Sequence, residues 1–197
     1  MIAIVDYGAG NLRSVQNTLA ELGADYAVVA DAEGVRRAGK IILPGVGHFG
    51  RLIRSLDEME LRGVLVERIR TGVPFLGICL GLHALFERSE EAPELQGFGL
   101  FPGTVVRFPR EARVPQMGWN VLEPRRECRL LRGLSGRIYV YFAHSYYAPV
   151  VPATAAACTY HVEYTALLEH DNVYGVQFHP EKSGPVGLRI MRNFLEV

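Results

Sequence analysis

The sequence predicts an α/β protein, with a mixed, mostly parallel sheet flanked by helices and an added antiparallel portion. Three observations predict it. Short apolar runs alternate with helical patterns through the first half of the chain, the arrangement that builds a parallel sheet covered on both faces. After Ser89 the pattern turns strand-rich, with turn residues between the runs. No repeat, low-complexity tract or long linker interrupts it, so the 197 residues are expected to form one unit, residues 1–197.

The first strand is "IAIV" at 2–5. Residues 11–22 follow as a helix, because Leu12, Val15, Leu19 and Leu22 recur at helical spacing and Gly23 stops it. "YAVVA" (26–30) and "KIILPG" (40–45) are the next strands. "FGRLIRSLDEMELRGVLVERIRTG" is amphipathic, one helix broken near Gly63 or two helices. "VPFLGI" is a buried strand and "LGLHALFERS" its following helix. Residues 103–108, 137–150, 156–170 and 172–178 supply the later strands. "PVGLRIMRNFLEV" closes the chain as a helix with proline in its first turn.

Composition excludes several classes. Acidic and basic residues number 21 each, which argues against a general nucleic-acid or anionic-membrane surface. No apolar run is long enough to span a bilayer, and "MIAIVDYGAGN" lacks the basic start of a signal peptide. Cys79, Cys128 and Cys158 are odd in number and far apart, so neither a disulfide framework nor a CxxC metal site is expected. A cytoplasmic protein without metal or cofactor is the expectation. Lysine occurs only at positions 40 and 182; arginine supplies the other cations.

One cysteine stands apart. In "VPFLGICLGLH", Cys79 lies between two glycines where an apolar strand meets helical sequence. Gly-x-Cys-x-Gly permits the sharp strand-to-helix turn of a nucleophile elbow, which presents the sulfur to a helix N-terminus and favours the thiolate. The Leu80 N–H would then face a developing oxyanion. A buried, inert cysteine is the competing reading. "YGVQFHPEKSG" ends a period-2 run on His179-Pro180-Glu181, where His179 can act as base and Glu181 can fix its tautomer. The alternative there is a solvated turn. "ILPGVGHFG" brings flexible backbone beside the strand end, so the Val46 or Gly47 N–H is a candidate second oxyanion donor. "DYGAGN" lacks the third glycine of a dinucleotide loop, and no zinc pattern accompanies the histidines. His161 and His170 read as ordinary strand or loop residues, Cys128 as a loop thiol and Cys158 as core.

"PGVG", "GICLG" and "HPE", in this order, resemble the class I (triad) glutamine amidotransferases. "DYGAGNL", "LPGVGHF", "PQMGWN", "AHSYY" and "FHPEKSG" resemble, more narrowly, the glutaminase subunits of imidazole glycerol phosphate synthases, and the resemblance runs from start to end of the chain. It implies Cys79 as nucleophile, His179 as proton carrier and Glu181 as its orienting group. It also implies an oxyanion site of Val46, Gly47 and Leu80, a glutamine pocket edged by Ser145 and Tyr146, and no cofactor. The implied partner is a (βα)8-barrel synthase subunit in a heterodimer, met through Asn11, Gln116, Trp119 and Lys182. One departure is His83, where many family members carry a glutamine that contacts the substrate. Two other classes stay open at this point: another cysteine hydrolase on a similar sheet, and a non-catalytic interaction subunit.

Overall fold

The computed structural model describes every residue from Met1 to Val197. The first half runs β1 (Ile2–Val5), α1 (Leu12–Glu21), β2 (Tyr26–Val29), α2 (Ala32–Arg37) and β3 (Lys40–Gly45). Then come α3 (Phe49–Glu58), α4 (Leu61–Arg70), β4 (Phe75–Cys79) and the single turn α5 (Leu80–His83). The second half contains β5 (Phe86–Ser89), β6 (Phe101–Arg107), β7 (Gln116–Pro124), β8 (Ile138–His144) and β9 (Tyr146–Tyr147). It ends with β10 (Thr154–Tyr160), β11 (Val162–His170), β12 (Val173–Val176) and α6 (Gly184–Leu195).

Nine strands form one sheet in the order β2-β1-β3-β4-β12-β11-β10-β7-β8. The five from β2 to β12 are parallel; β11, β10, β7 and β8 continue antiparallel. A smaller sheet, β5-β6-β9, lies beside it.

The parallel strands are apolar on both faces because both are covered. On β1, Ala3 and Val5 join the core beneath α2, α3 and α4, whereas Ile2 and Ile4 join the core beneath α1 and α6. Val15, Thr18 and Leu19 are the buried stripe of α1; Ile190, Met191 and Phe194 are that of α6. No helix is long and apolar enough to cross a membrane.

Three expectations are corrected. The long amphipathic segment takes the second of its two readings, two helices, and they part at Glu60 rather than near Gly63. Glu60 adopts φ 56°, a left-handed conformation costing about 1–2 kcal/mol, and the bend lets Leu61, Val64 and Leu65 turn into the core. The helix after Cys79 lasts one turn. The carbonyls of Ala84, Leu85 and Phe86 accept from the N–H groups of Phe98, Leu100, Phe101 and Gly99, so pairing with this later segment takes the bonds a longer helix would need. Residues 116–124, not read as a strand, pair with β8 over seven positions, from Gln116–His144 to Leu122–Ile138.

Candidate active site

The strands β3, β4 and β12 end together, and the site is built on their C-terminal edge, where open α/β sheets leave a crevice. Cys79 is the last residue of β4 and the cap of α5, at φ 53° and ψ −104°. A non-glycine residue held there is strained, and the surrounding packing fixes it. A side chain added at Gly77 would overlap the Gly81 carbonyl, and one at Gly81 would overlap the Leu43 carbonyl. One added at Gly45 would lie 2.6 Å from the Leu80 Cβ. The glycines let β3, β4 and the α5 turn touch backbone to backbone, which forces the Cys79 side chain out at the crest.

His179 follows β12, and its imidazole is buried. Its Nδ1 lies 2.9 Å from Glu181 Oε1, and the Cys79 thiol is the other group acting on the ring. Burial alone would lower the histidine pKa. The bonds to Cys79 and Glu181 and their negative charge outweigh it and push the imidazole up to about 10. The imidazole therefore favours its protonated form. The turn is anchored to β8: the His179 N–H donates to the Tyr141 carbonyl at 2.9 Å, and Ser183 Oγ donates to the His179 carbonyl at 2.7 Å.

Glu181 has a second neighbour. Asn11 Nδ2 donates to its Oε1 at 3.2 Å. Asn11, expected at a partner surface, thus shares the carboxylate oxygen that meets the imidazole, and Oε2 has no partner.

A cavity of about 180 Å³ opens over the sulfur, lined by Val46, Gly47, Cys79, Leu80, His83, Glu91, Ser145 and Tyr146 among others. Every residue expected in the oxyanion site and the substrate pocket lies on it. Residues 143–146 form the opposite wall. Their shape is set by His144, whose Nδ1 lies 2.8 Å from the Tyr146 carbonyl and whose Nε2 lies 3.3 Å from the Tyr164 hydroxyl. Burial depresses the His144 pKa to about 3, so the ring is neutral and its Nδ1–H donates.

His83 is buried, and its Nε2 lies 2.7 Å from Gln177 Oε1 while Nδ1 has no partner. Burial lowers its pKa to about 4. Gln116 is corrected: it is 4 % exposed, and its Oε1 accepts from the Tyr164 hydroxyl at 2.9 Å, so it braces the pocket wall from within. Trp119 (57 % exposed) and Met117 (68 %) do face outward. Lys182 is exposed, with Nζ 5.9 Å from the Tyr141 ring centroid, and Trp119 packs edge-on against the same ring.

Two residues of the site were not singled out from sequence. Glu91 lines the cavity and accepts from the Phe49 N–H at 2.7 Å, anchoring the start of α3; its signal was the acidic pair in "RSEE". Gln177 is fully buried beside Cys79, and only its place in "VQFHPE" marked it. No group of three or more His, Cys, Asp or Glu residues is placed to hold a metal ion.

The family described as Glutamine amidotransferase class-I matches residues 3–197. The chain is 48% identical over 198 residues to the imidazole glycerol phosphate synthase subunit HisH of Methanothermobacter thermautotrophicus, covering 100% of this chain and 98% of that one. It is 47% identical to the subunit of the same name from Thermococcus kodakarensis, with 98% of each chain covered. Among solved structures, a glutamine amidotransferase superposes with TM-score 0.78 at 22% identity, covering 100% of this chain and 98% of that one. A chain of PurLQS from Thermotoga maritima gives 0.79 at 18% identity, covering 99% and 97%. At such identities the superpositions speak for the fold alone.

Proposed function

The chain belongs to the class I glutamine amidotransferases, and from that premise we propose that it hydrolyses glutamine as the glutaminase subunit of an imidazole glycerol phosphate synthase. The observation that carries the chemistry is the strained Cys79 elbow beside a buried His179 whose Nδ1 rests on Glu181.

Cys79 Sγ attacks the side-chain amide carbon of glutamine. The carbonyl oxygen becomes an oxyanion and is met by backbone N–H groups of Leu80 and of Val46 or Gly47, which line the same cavity. His179 gives its proton to the leaving nitrogen, the C–N bond breaks, and ammonia departs from a glutamyl thioester. His179 then takes a proton from water, which attacks the thioester carbon, and the Cys79 sulfur leaves as glutamate forms. Glu181 keeps the imidazole in register throughout. Glu91 presents a carboxylate to the substrate's α-ammonium, Ser145 and Tyr146 hold its far end, and the His83 Nδ1 lone pair accepts from a substrate N–H.

The ammonia goes to a partner subunit, which we assign as a (βα)8-barrel carrying out the cyclisation that yields imidazole glycerol phosphate and an aminoimidazole carboxamide ribotide. Lyase chemistry belongs to that complex rather than to this chain. The exposed Met117 and Trp119, with Lys182 over Tyr141, supply the docking face beside the His179 turn, and Asn11 links that face to Glu181. Residues 1–197 act as one glutaminase unit, in the cytoplasm.

Cys79→Ala tests the assignment. Glutamine hydrolysis should fall by about four orders of magnitude or more, while the partner still forms product from added ammonia. Near-normal glutamine turnover by Cys79→Ala would remove the nucleophile. For the docking face, Lys182→Ala should weaken partner binding several-fold by calorimetry; unchanged affinity would take Lys182 out of it.

A further inference from the structure

Gln177 continues the chain from β12 toward His179, and its side chain turns back under the elbow. It is fully buried, with its backbone N–H donating to the Ala166 carbonyl at 2.9 Å. Its Nε2 lies 3.7 Å from Cys79 Sγ, within the range of an N–H···S bond, and its Oε1 lies 2.7 Å from His83 Nε2. An amide oxygen only accepts, so His83 must carry its proton on Nε2. A neutral imidazole has one such proton, which leaves Nδ1 bare, and Nδ1 has no partner.

The chain of bonds has a direction. His83 Nε2–H donates to Gln177 Oε1, which turns the Gln177 NH2 toward sulfur. Reversed, the amide would place its oxygen against the sulfur, repelling a thiolate, and would require the other His83 tautomer, which leaves an unpaired N–H on the buried Nδ1. We propose that Gln177 is a second stabiliser of the Cys79 thiolate, independent of His179, and that His83 is the positioning residue that fixes the direction of its amide. The proposal rests on Cys79 being the nucleophile. An amide N–H serves this purpose because it cannot take the sulfur's negative charge by giving up its proton. His179 must surrender its proton to the leaving nitrogen; Gln177 keeps its own, so the sulfur retains a donor through both halves of the reaction.

The surroundings allow a clean measurement. The titratable groups facing Cys79 are Tyr7 beyond β1, His83 on α5, Glu91 on the cavity wall after β5, His144 on β8, Tyr164 on β11, and His179 with Glu181 beyond β12. Burial pushes Tyr7 up to about 12, raises Tyr164, and lowers His83 and His144 to about 4 and about 3. Between pH 5.5 and pH 9.5, as a working range around the ordinary thiol value of about 8.5, these four stay neutral. The Cys79–His179–Glu181 group then shapes the profile.

The experiment is the pH profile of Cys79 alkylation by iodoacetamide in the full chain, resolved by site with peptide mass spectrometry and run beside a glutaminase assay. Gln177→Met keeps the volume and removes the donor. Its alkylation midpoint should rise by about one pH unit, and its kcat should fall roughly tenfold with a smaller change in KM. His83→Leu frees the amide and should raise the midpoint by less; added to Gln177→Met it should do nothing further. An unchanged midpoint in folded Gln177→Met overturns the proposal. Should that variant fail to fold, an unchanged midpoint in His83→Leu does the same, and additive shifts in the double variant overturn the positioning role. Failure of the underlying reading looks different: Cys79→Ser would then hydrolyse glutamine undiminished, whatever the midpoints.

Discussion

Cys79 and Cys128 occupy the same kind of place and have opposite prospects. Each caps a single helical turn, α5 for Cys79 and the 3-10 turn Arg129–Leu131 for Cys128. Cys128 has relaxed, extended backbone (φ −145°, ψ 153°), whereas Cys79 is held at φ 53°. Burial pushes the Cys128 thiol up to about 11; the Leu131 and Leu130 backbone N–H groups and Arg126 pull against this, and the nearby Glu169 charge reinforces it. A short turn's N–H groups and a nearby arginine are therefore not enough to make a nucleophile here. What Cys79 has in addition is a histidine to take its proton and an amide aimed at its sulfur.

The largest test of this comparison is to make Cys79 resemble Cys128. His179→Ala should lower glutamine turnover by about three or more orders of magnitude, and Glu181→Gln by less, since the ring keeps part of its orientation. Comparable turnover in His179→Ala and wild type would mean that the backbone strain alone activates the sulfur. Alkylation gives the next contrast: at neutral pH Cys79 should react, with Cys128 untouched until the pH approaches about 11. Equal labelling of both at pH 7 would break the comparison outright.

The smallest effect concerns stability. His83 and His144 have folded pKa values of about 4 and about 3, below the unfolded value near 6.5. The unfolded chain then binds more protons in acid, so the stability these rings contribute is whole above pH 6.5. It drains as the pH falls through about 4 and about 3. Thermal unfolding should show Tm dropping by several degrees between pH 6.5 and 4, and His144→Gln should flatten that slope. A slope unchanged by the substitution would put the acid sensitivity elsewhere.

How far the sequence revealed these features follows from how local each one is. The elbow was legible because its glycines stand next to the cysteine, and the His179–Glu181 contact because only Pro180 separates the pair. The strands of the parallel half were legible as unbroken apolar runs. The one-turn length of α5 was not, since it depends on donors from Phe98 to Phe101 claiming the carbonyls of the residues that follow it. Strand β7 was hidden by Gly118 and by exposed aromatic and sulfur side chains that look like loop. Gln177 and Asn11 act on partners 98 and 170 residues away, distances across which no spacing rule operates. The burial of Gln116 likewise needed Tyr164, 48 residues on.

The backbone contact among Gly45, Gly77 and Gly81 bears on how this protein can diversify. Three positions on two strands and a turn must all lack a side chain at once, so a lineage cannot drift through them one substitution at a time without displacing the sulfur. The crest is a fixed point, and selectivity for a different amide would have to be found on the facing wall, where Ser145 and Tyr146 ride on a strand edge with room to vary. Directed evolution toward new amide substrates should accordingly gather its accepted changes at Ser145 and Tyr146 and leave His144 and the three glycines as they are.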